Sequence, residues 1–240
     1  MSTNEHSFSD AERQGLYRAI HERRDVRAQF KPDPIPLEVL ARLLHAAHHA
    51  PSVGFMQPWD FLVIDSPAVR RAVQALFERE NARAAENYQG ERAAQYRRLK
   101  LEGILESPVN LCITCDRGRG GPHVLGRNSI VETDLFSTCL AVQNLWLAAR
   151  AEGVGVGWVS ILDQGQLADI LKLPDQVYPV AYLCLGYVSE FQPRPELELQ
   201  GWRSRLPLTD LLHGDTWGEA PAAPELAAAL AASEANSAPS

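Results

Sequence analysis

The sequence predicts an α+β fold, a central sheet covered by helices, and three observations predict it. Apolar residues recur at strand-like and helical periods in alternation along the chain. The tight βαβ rhythm of a doubly wound nucleotide-binding fold is missing. The glycine pattern Gly153-Val-Gly155-Val-Gly157 imitates a dinucleotide fingerprint, but a helix precedes it and a strand follows, the reverse of what that fingerprint needs. It reads instead as a helix cap and then a strand that another segment approaches closely.

The elements follow in order. Phe8 to Glu22 is a helix: Ser9 or Asp10 caps it, and Leu16 and Ile20 share its apolar side. The run Arg23-Arg24-Asp25-Val26-Arg27 leaves that helix, and Pro32, Pro34 and Pro36 keep the next stretch extended. Leu37 to His49 resumes helix with Leu37, Leu40, Leu43 and Leu44 on one face, and Pro51 ends it. Phe61 to Ile64 is a short buried strand. Pro67 starts a polar helical excursion that runs to about Lys100, either plain surface or a lid. Val109 to Thr114 is a strand, and Gly118, Gly120 and Gly121 make the following loop mobile. Ile130 to Ala151 is apolar on more than one face, as in a helix buried in a core or at a subunit contact. Gly153 caps it, Val154 to Val159 is a strand, Asp163 to Leu171 a helix and Val180 to Val188 a strand. The domain reading is a flexible N-terminus over residues 1–10, one domain over 11–218, and a disordered Ala/Pro-rich tail over 219–240.

Composition bounds the function. With 240 residues, 45% hydrophobic and 22% charged, the chain can build one full core. A net charge of -7 argues against a nucleic-acid or anionic-membrane surface, so the clustered arginines are a local device for a small anionic ligand. Neither a secretory leader nor an apolar run of about 18 residues is present, which reads as a cytoplasmic protein with no membrane contact. Cys112-x-x-Cys115 lies on a predicted strand, where positions three apart face opposite ways, so Cys112, Cys115, Cys139 and Cys184 read as core thiols. His45 and His49 sit one helical turn apart but lack the Glu of a zinc-protease pattern, so no metal is expected.

Three segments exceed packing needs: Arg23 to Arg27, Ala50-Pro51-Ser52-Val53-Gly54-Phe55-Met56-Gln57-Pro58-Trp59, and Gly153 to Ser160. Guanidinium forks suit phosphate, because they stay charged and donate hydrogen bonds in pairs. Asp25 is the odd member, since beside a phosphate ester it must either brace the arginines or do chemistry. Together the segments resemble the flavin-dependent nitroreductase superfamily, and within it the aerobic 5,6-dimethylbenzimidazole synthases, the BluB family. The resemblance runs from about Ala11 to Trp217. The narrower likeness rests on Asp25 where many relatives have serine, on Phe55 where many have asparagine before Gln-Pro-Trp, and on Lys100 to Ile104 and Trp158-Val159-Ser160.

The resemblance implies a nitroreductase-like sandwich with a central mixed or antiparallel sheet flanked by helices. It implies that Arg23, Arg24 and Arg27, with Asp25 and Val26 between them, hold the FMN phosphate, and that Arg203 or Arg205 adds a late contact. Ser52 and Gln57 are carried over as flavin contacts, Leu101 and Gly157 as ring neighbours, and Asp25 and Ser160 as catalytic residues. The implied substrate is reduced FMN itself, with O2 as co-substrate. The ring system is cleaved, C1′ of the ribityl chain becomes C2 of 5,6-dimethylbenzimidazole, and erythrose 4-phosphate leaves. Such a route needs proton transfer beside the ribityl carbons, within reach of Asp25, and Ser160 can hold a water or the flavin edge. The implied assembly is a homodimer with flavin at the subunit boundary, supplied with FMNH2 by a separate flavin reductase. The bland alternatives are an ion-pair brace for Asp25, a cap or strand end for Ser160, loop structure around Ser52, and a solvated loop around Arg203 and Arg205. Two rival functions stand beside the synthase. One is an NAD(P)H-dependent nitroreductase or flavin reductase, against which Phe55 and a lid over about Ala82 to Arg98 favour a closed site. The other is a non-catalytic flavin carrier, against which Asp25 argues.

Overall fold

Four strands form one antiparallel sheet in the order β1-β2-β4-β3: β1 is Trp59–Ile64, β2 Val109–Asp116, β3 Val154–Val159 and β4 Val177–Tyr187. The structure is a computed structural model describing residues 6–221 and 223–237. Two helices, α1 (Asp10–Glu22) and α2 (Leu37–His48), precede β1; α3 (Pro67–Ala85) and α4 (Gly90–Tyr96) join β1 to β2, α5 (Thr133–Ala151) joins β2 to β3, and α6 (Gln164–Leu171) joins β3 to β4. The α+β sandwich is as expected, and its named strands are all antiparallel. A single parallel bridge, Asp25 to Val156, extends the sheet beyond β3.

Strand alternation sorts the core into two layers. Leu111 and Ile113 of β2 face a cluster with Leu43, Ala47, Val142 and Leu145 of α2 and α5, while Cys112 faces Val73, Leu76 and Phe77 of α3 and Leu167 of α6. One buried polar chain links β4 to β2 and the segment before it: Tyr182 Oη donates to Asn110 Oδ1 at 2.7 Å, and Asn110 Nδ2 donates to Ser107 Oγ at 2.8 Å. Burial pushes the Cys112 and Cys184 thiols up to about 12 and Cys115 up to about 11, with little nucleophilic thiolate left at neutral pH. Cys139 corrects the core-thiol expectation, since it is exposed on α5. His49 Nδ1 is 2.8 Å from the His45 carbonyl oxygen one turn back.

Local chemistry explains the helix ends. Ser9 caps α1 in a reciprocal box with Glu12, and Ser66 caps α3 ahead of Pro67 at its first turn. Asp163 caps α6 through the Gln166 amide. The excursion towards Lys100 is two helices rather than one. The chain breaks after Ala85, where Tyr88 stacks on Tyr96 at 4.8 Å and Tyr96 Oη donates to Asn81 Oδ1 at 2.7 Å.

The chain divides into two units, Met1–Phe191 and Gln192–Ser240. The second contains α7 (Glu196–Leu199) and α8 (Pro224–Ser237). Within the stretch expected as a tail, Pro224–Ser237 is helical. That stretch is rich in alanine, the strongest helix former. Of the expected flexible N-terminus, residues 1–5 lie outside the described residues, as do 238–240 at the other end. No described helix is long and apolar enough to cross a membrane.

Candidate flavin site

The arginine run is built onto the outer edge of β3. The Val26 amide donates to the Val156 carbonyl at 3.0 Å, and the Trp158 amide donates to Asp25 Oδ1 at 2.9 Å. This approach needs the glycines of β3. A Cβ on Gly157 would lie 2.0 Å from the Val26 carbonyl oxygen, and one on Gly155 would lie 2.4 Å from Val188 Cγ1. Gly157, expected beside the flavin ring, thus gives its bare face to the Asp25–Val26 backbone. Val26, expected at the flavin, is buried, and its amide is engaged by β3. Both anchor the run to β3.

The three arginines differ in environment. The Arg23 guanidinium lies over the Trp146 ring, 4.8 Å from its centroid, and Trp146 Nε1 donates to the Arg24 carbonyl at 3.2 Å. Arg24 Nη1 donates to the carbonyls of His21 and Arg23 at 2.8 Å each. Arg27 is 9% exposed and Arg27 Nη2 donates to Asp25 Oδ2, whereas Arg27 Nε is buried with no partner. A buried guanidinium with an unanswered donor suits an anionic ligand oxygen, so the residues present fit a phosphate. Burial raises the Asp25 pKa above the ordinary aspartate range. Arg27, the Trp158 amide and Arg23 pull against it without reversing it.

Leu101 belongs to the same neighbourhood. A Cβ on the nearby Gly103 would lie 2.6 Å from the Phe30 ring and 2.8 Å from the Arg27 carbonyl oxygen, so Lys100 to Ile104 is pressed against the end of the run. Buried Glu102 shapes this segment, accepting from the Ile104 amide at 2.8 Å and from Lys100 Nζ. Ser160 is exposed and follows the end of β3, two residues beyond the amide that holds Asp25.

Ser52 and Gln57 are elsewhere. Their loop enters β1, and Trp59 lies opposite Cys115 of β2, which lies opposite Tyr178 of β4. Asp25 bridges Val156, which lies opposite Leu185. The two groups are thus separated by four strand spacings, about 19 Å, and by seven residues along β4 (178 to 185), about 23 Å. Within the loop, Ser52 Oγ accepts from the Gln57 amide at 3.0 Å, and Ser137 Oγ accepts from the Val53 amide at 3.1 Å. Phe55, expected to help close the site, is 81% exposed at the loop's apex. A cavity of about 390 Å³ opens beside Gln57, lined also by His48, Trp59, Asp60 and Arg119. Arg203 and Arg205 lie in the second unit and are exposed there.

Residues 20–187 match the model of the nitroreductase family. The chain belongs to the nitroreductase family. Among its relatives, the 5,6-dimethylbenzimidazole synthase of Rhodospirillum rubrum is 46% identical over 83% of this chain and 94% of its own length. That of Rhodobacter capsulatus is 41% identical over 84% and 97%. A solved nitroreductase-like structure, iodotyrosine deiodinase bound to FMN and 3-iodo-L-tyrosine, superposes with a TM-score of 0.66 at 23% identity. It covers 84% of this chain and all of that one. Such a likeness speaks to fold.

Sequence reasoning missed Trp146, Arg119 and Glu102. Trp146 was legible only as one apolar residue of a buried helix, and Arg119 was hidden in a glycine-rich stretch that reads as mobile. That loop is pinned: the Gly118 amide donates to Asp116 Oδ1 at 2.9 Å and Arg127 Nη1 to the Arg117 carbonyl at 2.9 Å.

Proposed function

We propose that the protein is a 5,6-dimethylbenzimidazole synthase that consumes reduced FMN and O2. The observation that carries the reading is Asp25: a carboxylate set among three phosphate-suited arginines, oriented by the Trp158 amide and raised in pKa by burial. Curated synthases at 38–46% identity over most of the chain support it. Reduced FMN supplies the carbon and nitrogen framework of the product and the electrons for O2.

This chain's own residues bind, orient and move protons. Arg27 Nε and the neighbouring guanidiniums take the phosphate, which gives the buried donor its missing acceptor. With Oδ1 held by Trp158, Asp25 exchanges protons at Oδ2, the oxygen facing Arg27. The ion pair that a mere brace would make is present, so the product assay on Asp25→Asn separates a brace from a proton-transfer group. Ser160 presents a hydroxyl on the same edge, able to donate and accept.

The site is composite in this reading, formed by two copies of the chain. Ser52 and Gln57 lie too far from Asp25 for one FMN to touch both groups within one chain. The loop that carries them rests on α5, whose outward Phe136 and Leu140 are 57% and 45% exposed. An apolar helix face beside half a site suits a homodimer contact. A separate flavin reductase supplies FMNH2.

The test mixes protein with FMNH2 in air and follows products by mass spectrometry. A dimethylbenzimidazole mass, lost in Asp25→Asn, is the expected result. Hydrogen peroxide and intact FMN as the only products would return the protein to the reductases or carriers.

A further inference from the structure

Arg119 ties the loop after β2 to the loop that carries Ser52 and Gln57. Its Nη1 donates to the carbonyls of Gln57 (2.8 Å) and Trp59 (2.9 Å), and its Nη2 donates to both carboxylate oxygens of Asp60 (2.8 Å each). All four acceptors lie where the chain turns from the Ser52 loop into β1. That turn is strained: Gly54, Phe55 and Gln57 have φ of 53°, 53° and 48°, a region disfavoured for the two that carry side chains. The loops also interlock through glycine. A Cβ on Gly54 would lie 2.7 Å from Val124 Cγ1 and one on Gly120 2.9 Å from Val124 Cγ2, so Val124 is wedged between them.

A strained backbone persists only where its surroundings over-determine it. We infer that Arg119 is a positioning residue for flavin binding, acting through the Gln57 backbone to hold the Ser52–Gln57 loop in its binding conformation. The inference rests on the proposed flavin role of Ser52 and Gln57. Without the clamp, the loop relaxes in the free protein and must be restored on binding. That penalty falls equally on bound substrate and transition state, so it raises KM and leaves kcat in place.

The experiment compares wild type with Arg119→Ala, Arg119→Lys and Asp60→Asn, measuring oxidised-FMN affinity by fluorescence quenching and the kinetics of dimethylbenzimidazole formation from FMNH2. Lysine can reach one carbonyl but cannot fork. Arg119→Ala should raise the FMN dissociation constant and the KM for FMNH2 about tenfold, with kcat held within about twofold. Arg119→Lys and Asp60→Asn should fall between it and wild type, and they decide the matter if the alanine variant does not fold. Variants that melt lower yet bind FMN with wild-type affinity overturn the inference, as does a fall in kcat at unchanged KM. Wild-type protein that binds FMN without forming product defeats the synthase reading alone, and the affinity comparison still decides on Arg119. Wild-type protein that binds no FMN overturns both.

Discussion

Replacing Gly157 by alanine puts a methyl group where the structure has none to spare. The added Cβ would lie 2.0 Å from the Val26 carbonyl oxygen and 3.7 Å from Asp25 Oδ1. The obstacle is backbone, so no side-chain rotation relieves it, and the Asp25–Val26 segment must move off β3 by about 1 Å or more. That movement breaks the Val26 amide bond to Val156 (3.0 Å) and the Trp158 amide bond to Asp25 (2.9 Å). Each is worth about 1 kcal/mol net and more where a buried donor is left unpaired, so the expected loss is about 2–4 kcal/mol. For a unit of this size that lowers Tm by about 5–15 °C. Because the displaced segment also carries Asp25 and Arg27, FMN affinity and benzimidazole formation should fall together. Thermal melts by circular dichroism and FMN titration read the two effects. Gly15→Ala, in α1 with nothing within 4 Å of the added Cβ, is the comparison and should stabilise by roughly 0.5–1 kcal/mol. A Gly157→Ala protein with wild-type Tm and FMN affinity would refute the argument that β3 is glycine-rich in order to seat the arginine run.

The raised Asp25 pKa sets the acid limb of the reaction. A carboxylate base works only when ionised, so turnover should fall with decreasing pH about an apparent pKa above the ordinary value of about 3.9, and a limb at or below that value would contradict it. In stability the sign is opposite: the contribution of a raised carboxyl is present below its unfolded pKa and fades as pH rises through the folded one. Phe136→Glu places a charge on the exposed apolar face of α5 and should turn a dimer into monomer by light scattering; an unchanged mass would remove α5 from the interface. Tyr182→Phe strands the buried Asn110 Oδ1 and should lower stability to urea by about 1–3 kcal/mol, whereas a loss under about 0.5 kcal/mol would mean that another donor replaces the hydroxyl.

Much of the fold was legible because its signals are local. Ser9, Ser66-Pro67 and Asp163 cap helices through bonds made within a few residues, and the β2 alternation places Leu111 and Cys112 on opposite faces whatever packs there. The second unit was less legible: a Pro/Ala/Glu-rich composition suits disorder and helix alike, and alanine propensity prevails over Pro224–Ser237. Exposure of Cys139 depends on which side of α5 the sheet covers, which no local pattern states.

The chemical identities of the site were written in the residue order: three arginines, one interposed carboxylate, a Ser52–Gln57 loop and a glycine-rich strand, since charge and hydrogen-bonding capacity belong to side chains wherever they lie. Their partnerships were not. That Gly157 makes room for Val26, that Arg27 keeps a buried donor unanswered, that Ser52 and Gln57 stand at the far end of the sheet from Asp25, and that Arg119 clamps their loop all follow from strand order and register. Those bring residues more than a hundred positions apart to within 3 Å and hold others, only some thirty apart, at opposite edges.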